Sequence, residues 1–277
     1  MNYPTRELPR MVLVRQHFSK ERIEAVEKTV YEKLLAAGLK TKVKQGAKIA
    51  ITAGSRGLGG FNDLLKGVIR ALRDAGAEPF IIPAMGSHGG ATADGQKALL
   101  QGLGIREKEV GAEIRPTMET VNLGESKTGA RAHLDKNVAD ADGVVVLGRV
   151  KTHPQNTEGI ASGLLKMTTV GLGKQIGAHE AHSHGLWNSV KAVPEITLAG
   201  GKVLFGVAVV ENAYRDPIAI EVVPGNYAAF FETDKKLLEV AKRHFARIPF
   251  ENLDLLVVDQ LGKNISGTGM DLNVIGP

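Results

Sequence analysis

The feature that most constrains the fold of this chain is one local pattern that occurs three times. A short apolar run is followed directly by a polar loop that contains glycine and a charged or imidazole side chain. The three runs are Lys48–Thr52, Pro79–Ala84 and Gly143–Leu147. Open parallel α/β sheets bind ligands in the loops that follow the carboxyl ends of their strands. The pattern therefore predicts an α/β fold with a ligand site at one edge of the sheet.

The segments around these runs have the spacing of further helices and strands. Ser19 is a candidate cap for the first helix, and Gly38 a candidate stop. The predicted elements are helices over Ser19–Ala37, Asn62–Ala75 and Glu232–Ala246, a helix from about Thr92, and strands over Lys202–Val210 and Ile218–Val223. We therefore expect a Rossmann-like mixed sheet with flanking helices.

The end of the chain predicts a second domain. Leu253–Val258 reads as another strand that runs into a glycine-rich loop, Gln260–Pro277, and no helix follows it. A strand and loop without their helix would leave one sheet face uncovered. We therefore expect residues 1–250 to form one α/β domain and 251–277 to begin a second, whose remainder is absent from this chain. A disordered C-terminal tail is the alternative.

Composition excludes several classes of chemistry and partner. The chain has no cysteine, which rules out disulfides, thiolate metal sites and a cysteine nucleophile. Its net charge is only +5, and the basic segment Lys40–Lys48 has no interleaved aromatic residue, so we expect no nucleic-acid binding. Val203–Val210 is too short to span a membrane, and Met1–Arg10 lacks the apolar core of a signal peptide. A cytoplasmic protein that acts on a small molecule is the expectation, with the oligomeric state open.

Two histidines are candidates for acid–base chemistry. His88 and His153 each lie in a loop after a predicted strand. Imidazole gains and loses a proton near neutral pH, and loops at neighbouring strand ends would bring two imidazoles to one substrate. The alternative is that each ring bonds the backbone of its own loop.

A second group of histidines suggests a metal. His179, His182 and His184 form the pattern H-x-x-H-x-H in a segment that reads as a loop, a density suited to zinc or nickel. This pattern alone leaves open a histidine-metal-dependent hydrolase, although no carboxylate is placed as its general base. An exposed polar loop without a metal is the other alternative.

Two cations and a glycine loop complete the candidate site. Lys166 lies in a mostly apolar stretch, so its amine could be desolvated, with a lowered pKa, and available for covalent attachment or an anion contact. A snorkelling surface lysine is the alternative. Arg56 could clamp a carboxylate, and Ser55 and Gly57 belong to a glycine-rich loop that could cradle a phosphate before a helix.

Taken together, these motifs resemble the nickel-pincer-nucleotide-dependent lactate racemase family. The similarity extends from about residue 45 to the end of the chain, and it rests on several motifs in the family's order. They are Gly54-Ser55-Arg56-Gly57, Gly86-Ser87-His88-Gly89, Lys151-Thr152-His153, the segment Ser162–Lys166, and His182.

The resemblance implies a racemase or epimerase of a 2-hydroxy acid. Its cofactor would be a nicotinic-acid-derived mononucleotide that carries nickel in a sulfur–carbon–sulfur pincer and exchanges hydride with the substrate. Lys166 would tether the cofactor through a thioamide, and His182 would be the protein ligand to nickel. His88 and His153 would exchange the hydroxyl proton, one for each enantiomer, and Arg56 would hold the carboxylate. Residues 1–250 would then be the catalytic, cofactor-binding domain.

The sequence also departs from the family. Ala53 stands where lactate racemases carry an acidic residue, and the gap from His153 to Lys166 is three residues longer, so the substrate need not be lactate. Gln260 and Lys263 have the spacing of the family's C-terminal substrate-binding pair. Aligning the loop 267–271 instead puts that pair at or beyond Pro277. A non-enzymatic nucleotide-cofactor-binding domain is therefore a further alternative.

Overall fold

The structure, a computed structural model, describes residues 12–154, 156, 159–261 and 270–275. Its centre is a five-stranded sheet in the order β2-β1-β5-β6-β7. The first four of these are parallel to their neighbours, and β7 runs antiparallel to β6. The strands are β1 (Lys48–Ala53), β2 (Glu78–Pro83), β5 (Gly143–Arg149), β6 (Val203–Glu211) and β7 (Pro217–Pro224). The expected mixed α/β sheet is confirmed.

Two strands outside this sheet were not expected from the sequence. They are β3 (Thr120–Glu125) and β4 (Arg131–Asp135), which form an antiparallel hairpin. The hairpin packs against the helices on one side of the main sheet, where Ala130 and Ala132 contact Val193. Most side chains of β3 are exposed, so its apolar pattern is weak and sequence periodicity does not reveal it.

Helices cover both faces of the central sheet. The longer ones are α1 (Val26–Ala36), α3 (Phe61–Asp74), α4 (Ala93–Gly102), α8 (Lys174–Ser183), α9 (Leu186–Ala199) and α10 (Tyr227–His244). The short ones are α2 (Leu39–Lys42), α5 (Glu107–Val110), α6 (Lys136–Asp140), α7 (Leu164–Lys166) and α11 (Leu272–Ile275). Between α7 and α8 lies a π-helical turn, Met167–Gly171.

The strand pleat divides the interior into two cores. In β5, Val145 and Leu147 pack into the core under α1 and α3, whereas Val144 and Val146 pack into the core under α7 and α10. Both faces of a central strand are therefore apolar, which explains its continuous hydrophobic run. Burying such side chains on both faces stabilises the sheet by about 1.5–3 kcal/mol per side chain.

The first helix begins later than its apolar spacing predicts. Helix α1 starts at Val26, and Ser19 does not cap it. The Ser19 hydroxyl instead accepts a hydrogen bond from the Glu21 amide, and the Ile23 amide donates to the Pro217 carbonyl at 2.7 Å. That bond to the edge of the sheet holds the segment before Val26 in a non-helical conformation.

The predicted strand Leu253–Val258 is wrong. These residues form no strand in the described part of the chain, and their apolar side chains are exposed, Leu255 and Val257 at 77% each. A strand needs a neighbour for its backbone hydrogen bonds, and none of the described residues supplies one. The start of a second domain over 251–277 stays a prediction.

Among the described residues, no helix has the length and apolar character to cross a membrane.

Candidate active site

The three loops that define the site lie at one edge of the sheet. β2, β1 and β5 are adjacent and parallel, so their carboxyl ends lie side by side. Arg56 follows β1, His88 follows β2 and His153 follows β5. Arg56 and His88 are exposed, whereas His153 is partly buried. The structure thus brings to one edge the three loops that the sequence pattern singled out.

Lys166 is delivered to this edge by the short helix α7. The Lys151 amide donates to the Ser162 carbonyl at 3.1 Å and the Ser162 amide returns a bond to the Lys151 carbonyl, so the β5 loop folds back on itself. The two carboxylate oxygens of Asp234, on α10, accept the amides of Leu164 and Leu165 at 2.8 and 2.9 Å. They satisfy the first amides of the helix, and this fixes the direction of the segment that ends in Lys166.

The amine of Lys166 is desolvated, as its apolar surroundings in the sequence suggest. Burial, followed by the charges of Lys151 and Arg56, lowers the pKa of Lys166 to about 8. Burial, followed by the charges of Arg149 and Arg56, lowers the pKa of Lys151 to about 8 as well. Mutual effects of this kind mean that these cations share one region, which suits an anionic ligand.

His153 lies beside these lysines. Burial, followed by the charges of Lys166 and Lys151, lowers its pKa to about 4, so the ring is neutral at physiological pH. Its ring meets that of Trp187, on α9, edge to face with centroids 4.8 Å apart. The Lys166 Nζ lies 5.3 Å from the centroid of the same indole. One tryptophan thus contacts both groups.

His182 has one ring nitrogen available for a ligand. Its Nδ1 lies 2.6 Å from the carbonyl oxygen of Ala178. A carbonyl only accepts hydrogen bonds, so Nδ1 carries a proton, and in the neutral ring Nε2 is the nitrogen with a lone pair for a ligand. The ring is exposed, and the charge that it carries when protonated lowers the pKa of His153, which places the two histidines near each other. This is the arrangement of a metal-ligating histidine with its second nitrogen held by the backbone.

The histidine triplet does not form a metal cluster by itself. His179 and His182 lie on α8, not in a loop as the sequence suggested, and His184 follows its last residue. Helix α8 continues through Gly177, and no proline or further glycine interrupts it before Ser183. His184 Nδ1 donates to the Glu180 carbonyl and lies 3.7 Å from its carboxylate. Within the described ranges, no three histidine, aspartate or glutamate side chains are grouped to hold a metal ion.

The His88 loop is held by hydrogen bonds from α4 and by close packing on its neighbours. The buried Gln96 amide donates to the carbonyls of Gly86 and His88 at 2.8 and 3.2 Å. Gly86 has φ +59°, and a Cβ there would lie 2.9 Å from Val170 and 3.4 Å from Ala178. The loop therefore packs directly on the π-helical turn and on α8, which links its position to that of His182.

The first glycine loop, predicted to cradle a phosphate, is held in place by the segment around the end of β6. Gly57 has φ +63°, which favours glycine, and the loop leads into the N-terminus of α3. The Gly59 amide donates to the Glu211 carboxylate at 2.6 Å, and Glu211 also pairs with Arg149. Arg215 donates to the Arg56 carbonyl at 3.4 Å. The loop that contains Ser55 is thus anchored to the carboxyl end of β6.

Sequence reasoning gave no role to four residues around the site: Lys151, which it quoted only within a motif, and Asp234, Trp187 and Lys174. Asp234 could have been found, because it occupies a buried position in the apolar register of α10, where a carboxylate needs a function. The Lys174 amine is fully buried against Asp135 at 2.6 Å and donates to the Pro83 carbonyl. Nothing local in the sequence distinguishes it from a surface lysine.

The predicted C-terminal pair is not tested. Gln260 is exposed, and Lys263 lies outside the described residues. The segment beyond it nevertheless returns to the site: the Asn273 amide donates to the His153 carbonyl at 2.9 Å. The negative charge of Asp271 partly opposes the lowering of the pKa of His153 and of Lys151.

Comparison with known proteins identifies similar folds and the family of this chain. One solved structure with a similar fold is the lactate racemase apoprotein from Thermoanaerobacterium thermosaccharolyticum, with a TM-score of 0.52 and 13% sequence identity. The match covers 82% of this chain and 57% of that one. No curated protein matches by sequence. The model of the lactate racemase N-terminal domain matches residues 3–191, most of the chain. With its three loops, α7 and α8 all inside that match, the chain belongs to the family of the lactate racemase N-terminal domain.

Proposed function

We propose that this chain is the cofactor-binding, catalytic part of a racemase or epimerase of a 2-hydroxy acid, dependent on a nickel-pincer nucleotide. The observation that carries the proposal is the convergence of Lys166, His153 and His182 at one edge of the sheet. They come from three different segments, and the charges of Lys166 and His182 both lower the pKa of His153. The family membership supports the racemase class.

The residues present fit the expected cofactor. A sulfur–carbon–sulfur pincer brings three donors to nickel, so the protein needs to add only one, and His182 Nε2 has the free lone pair. A thioamide tether needs a nucleophilic amine, and Lys166 has a pKa of about 8. The absence of a three-residue metal cluster among the described residues agrees with a metal that arrives already ligated. It does not favour the histidine-metal hydrolase.

The chemistry assigned to the chain is binding, orientation and proton transfer. When bound, the nickel-pincer nucleotide supplies the hydride acceptor and donor. Arg56 binds the substrate carboxylate through its guanidinium. His153, neutral at physiological pH, accepts the hydroxyl proton of one enantiomer, and His88 serves the other. Ser55 and Gly57 contribute the loop that holds the nucleotide phosphate at the start of α3.

The low pKa of His153 belongs to the protein before it is loaded. Acylation of Lys166 removes the positive charge of its amine, and a bound phosphate and carboxylate add negative charges. Both changes favour the protonated imidazole, so they raise the pKa of His153 toward the working pH. A base whose pKa lies near the working pH transfers protons more efficiently.

The deciding experiment is intact-protein mass spectrometry with metal analysis, on protein co-expressed with the enzymes that make the cofactor. We expect an adduct that maps to Lys166 and stoichiometric nickel, and Lys166→Ala should remove both. Unmodified Lys166 with bound zinc would contradict the proposal and revive the hydrolase.

A second measurement distinguishes the proposed racemase from a non-enzymatic cofactor-binding domain. His88→Gln and His153→Gln should keep the adduct, and racemisation of candidate 2-hydroxy acids should be lost. If the loaded wild-type protein turns over none of a broad panel of 2-hydroxy acids, the carrier function is the better account.

A further inference from the structure

We infer that Trp187 is a positioning residue that holds the Lys166 amine and the His153 imidazole toward the same space. This inference rests on the proposed function for its meaning in catalysis, although the contacts themselves do not depend on it. Trp187 is the only tryptophan in the chain. It is the second residue of α9. That helix begins directly after Gly185, whose φ of +82° turns the chain out of α8.

The first contact restrains the lysine. Lys166 makes no hydrogen bond or ion pair with any residue that the structure describes. Its Nζ lies 5.3 Å from the centroid of the indole, within the distance of a cation–π interaction. A lysine has four rotatable side-chain bonds, so without a partner its amine would sample many positions. The indole face selects those positions in which the amine points into the site.

The second contact restrains the histidine. The imidazole of His153 meets the indole edge to face, with centroids 4.8 Å apart and planes at 72°. This geometry is favoured by the opposite charge of ring edge and ring face. The side chain of Trp187 is only partly buried, so one indole can touch both groups and still border the ligand space.

The two contacts give the indole two separable effects. As a cation–π partner, Trp187 stabilises the charged form of Lys166 and shields its amine. As a rigid wall, it fixes the distance between the amine and the imidazole. Replacing it with leucine, which is also apolar, removes both effects without hydrating the site. The free amine should then react faster with small reagents, whereas turnover, which needs alignment, should fall.

The test is acetylation of the unloaded protein at pH 7, with the modification of each lysine followed by peptide mass spectrometry. Trp187→Leu should acetylate Lys166 several-fold faster than the wild type, and Trp187→Phe, which keeps an aromatic face, should fall between them. Exposed Lys20 is the reagent control and should react equally in all three proteins. Equal rates at Lys166 in the three proteins would overturn the inference.

A second measurement uses the loaded enzyme. We expect kcat in Trp187→Leu to be about tenfold lower with KM little changed, and Trp187→Phe to restore most of it. Unchanged kcat in Trp187→Leu would also overturn the inference. If wild-type protein carries no adduct, the proposed function fails, but the acetylation comparison still decides whether Trp187 holds Lys166. If the leucine variant does not fold, two other measurements test whether Trp187 holds Lys166. One is the acetylation rate of Lys166 in Trp187→Phe, and the other is the change in wild-type tryptophan emission when Lys166 is acetylated. No change in either would overturn the inference.

Discussion

Lys166 and Lys174 are eight residues apart, at the end of α7 and the start of α8, and their surroundings differ. Lys174 is fully buried, and its amine contacts the Asp135 carboxylate and the Pro83 carbonyl. Lys166 is only partly buried, and the described charged groups that act on it, Lys151 and Arg56, are cations. Lys174 also has φ +55°, uncommon for a residue with a side chain, which shows how strongly its surroundings determine its place.

The difference separates a structural lysine from a reactive one. Burial lowers the pKa of Lys174 too, but the Asp135 carboxylate opposes that shift. The paired, fully buried amine holds neighbouring elements together and is out of reach of a reactant. An amine that is desolvated among other cations is destabilised in its charged form and is a better nucleophile near neutral pH. Lys174 joins the end of β2 to the start of α8, the elements that lead to His88 and carry His182.

The largest expected effect is at Lys166. Lys166→Met should abolish the covalent adduct completely while the free energy of unfolding changes by less than about 1 kcal/mol, because no ion pair is lost. Intact mass after co-expression and urea denaturation of the same protein measure the two quantities. A large loss of stability in this variant would mean that Lys166, too, is structural.

Lys174→Met should give the opposite result. It leaves the Asp135 carboxylate buried without its cation, and we expect a loss of about 3–5 kcal/mol in urea denaturation. The double variant Lys174→Met/Asp135→Asn removes that charge and keeps an oxygen for the Asn137 amide, which Asp135 now caps at 2.8 Å. It should recover most of the stability, and a double variant as unstable as the single one would refute the ion-pair explanation.

The pH dependence of amine reactivity sharpens the comparison. With a pKa of about 8 in place of 10.5, Lys166 has about 300-fold more free amine at pH 7 than an ordinary lysine. Its acetylation rate should therefore rise with a midpoint near pH 8, and Lys174 should stay unmodified at every pH at which the protein is folded. Midpoints above pH 10 for Lys166 would show that its amine is hydrated.

The smallest expected effect concerns Asp234, which serves Lys166 through the backbone of α7. Burial raises the pKa of Asp234 from 3.8 to about 6. The folded protein therefore binds this proton more tightly than the unfolded chain does. The resulting stability is present below about pH 4 and is lost as the pH rises to about 6.

Asp234→Asn should remove this dependence. We expect the stability difference between the wild type and the variant to change by about 1–3 kcal/mol over that pH window, followed by urea denaturation at several pH values. A difference that is constant with pH would mean that Asp234 keeps an ordinary pKa.

Much of the fold was predictable because its signals are local. The strands at Lys48, Pro79 and Gly143 and the helix after the first glycine loop lie within one or two residues of their predicted bounds. Continuous apolar runs and glycine-ended helices carry that information in a few neighbouring residues. The wrong strand over Leu253–Val258 has the same local pattern, but no described neighbour pairs with it.

The sequence by itself determined which residue types follow each strand: an arginine and glycines after β1, and a histidine after β2 and after β5. Only the tertiary structure decided which of them meet. It places Trp187 against His153 and Lys166, caps α7 with Asp234 from a distant helix, and gives Lys174 a carboxylate partner that no described residue gives Lys166. Burial and charge environment are properties of packed neighbours, so two lysines that look alike in the sequence acquire opposite chemistry in the fold.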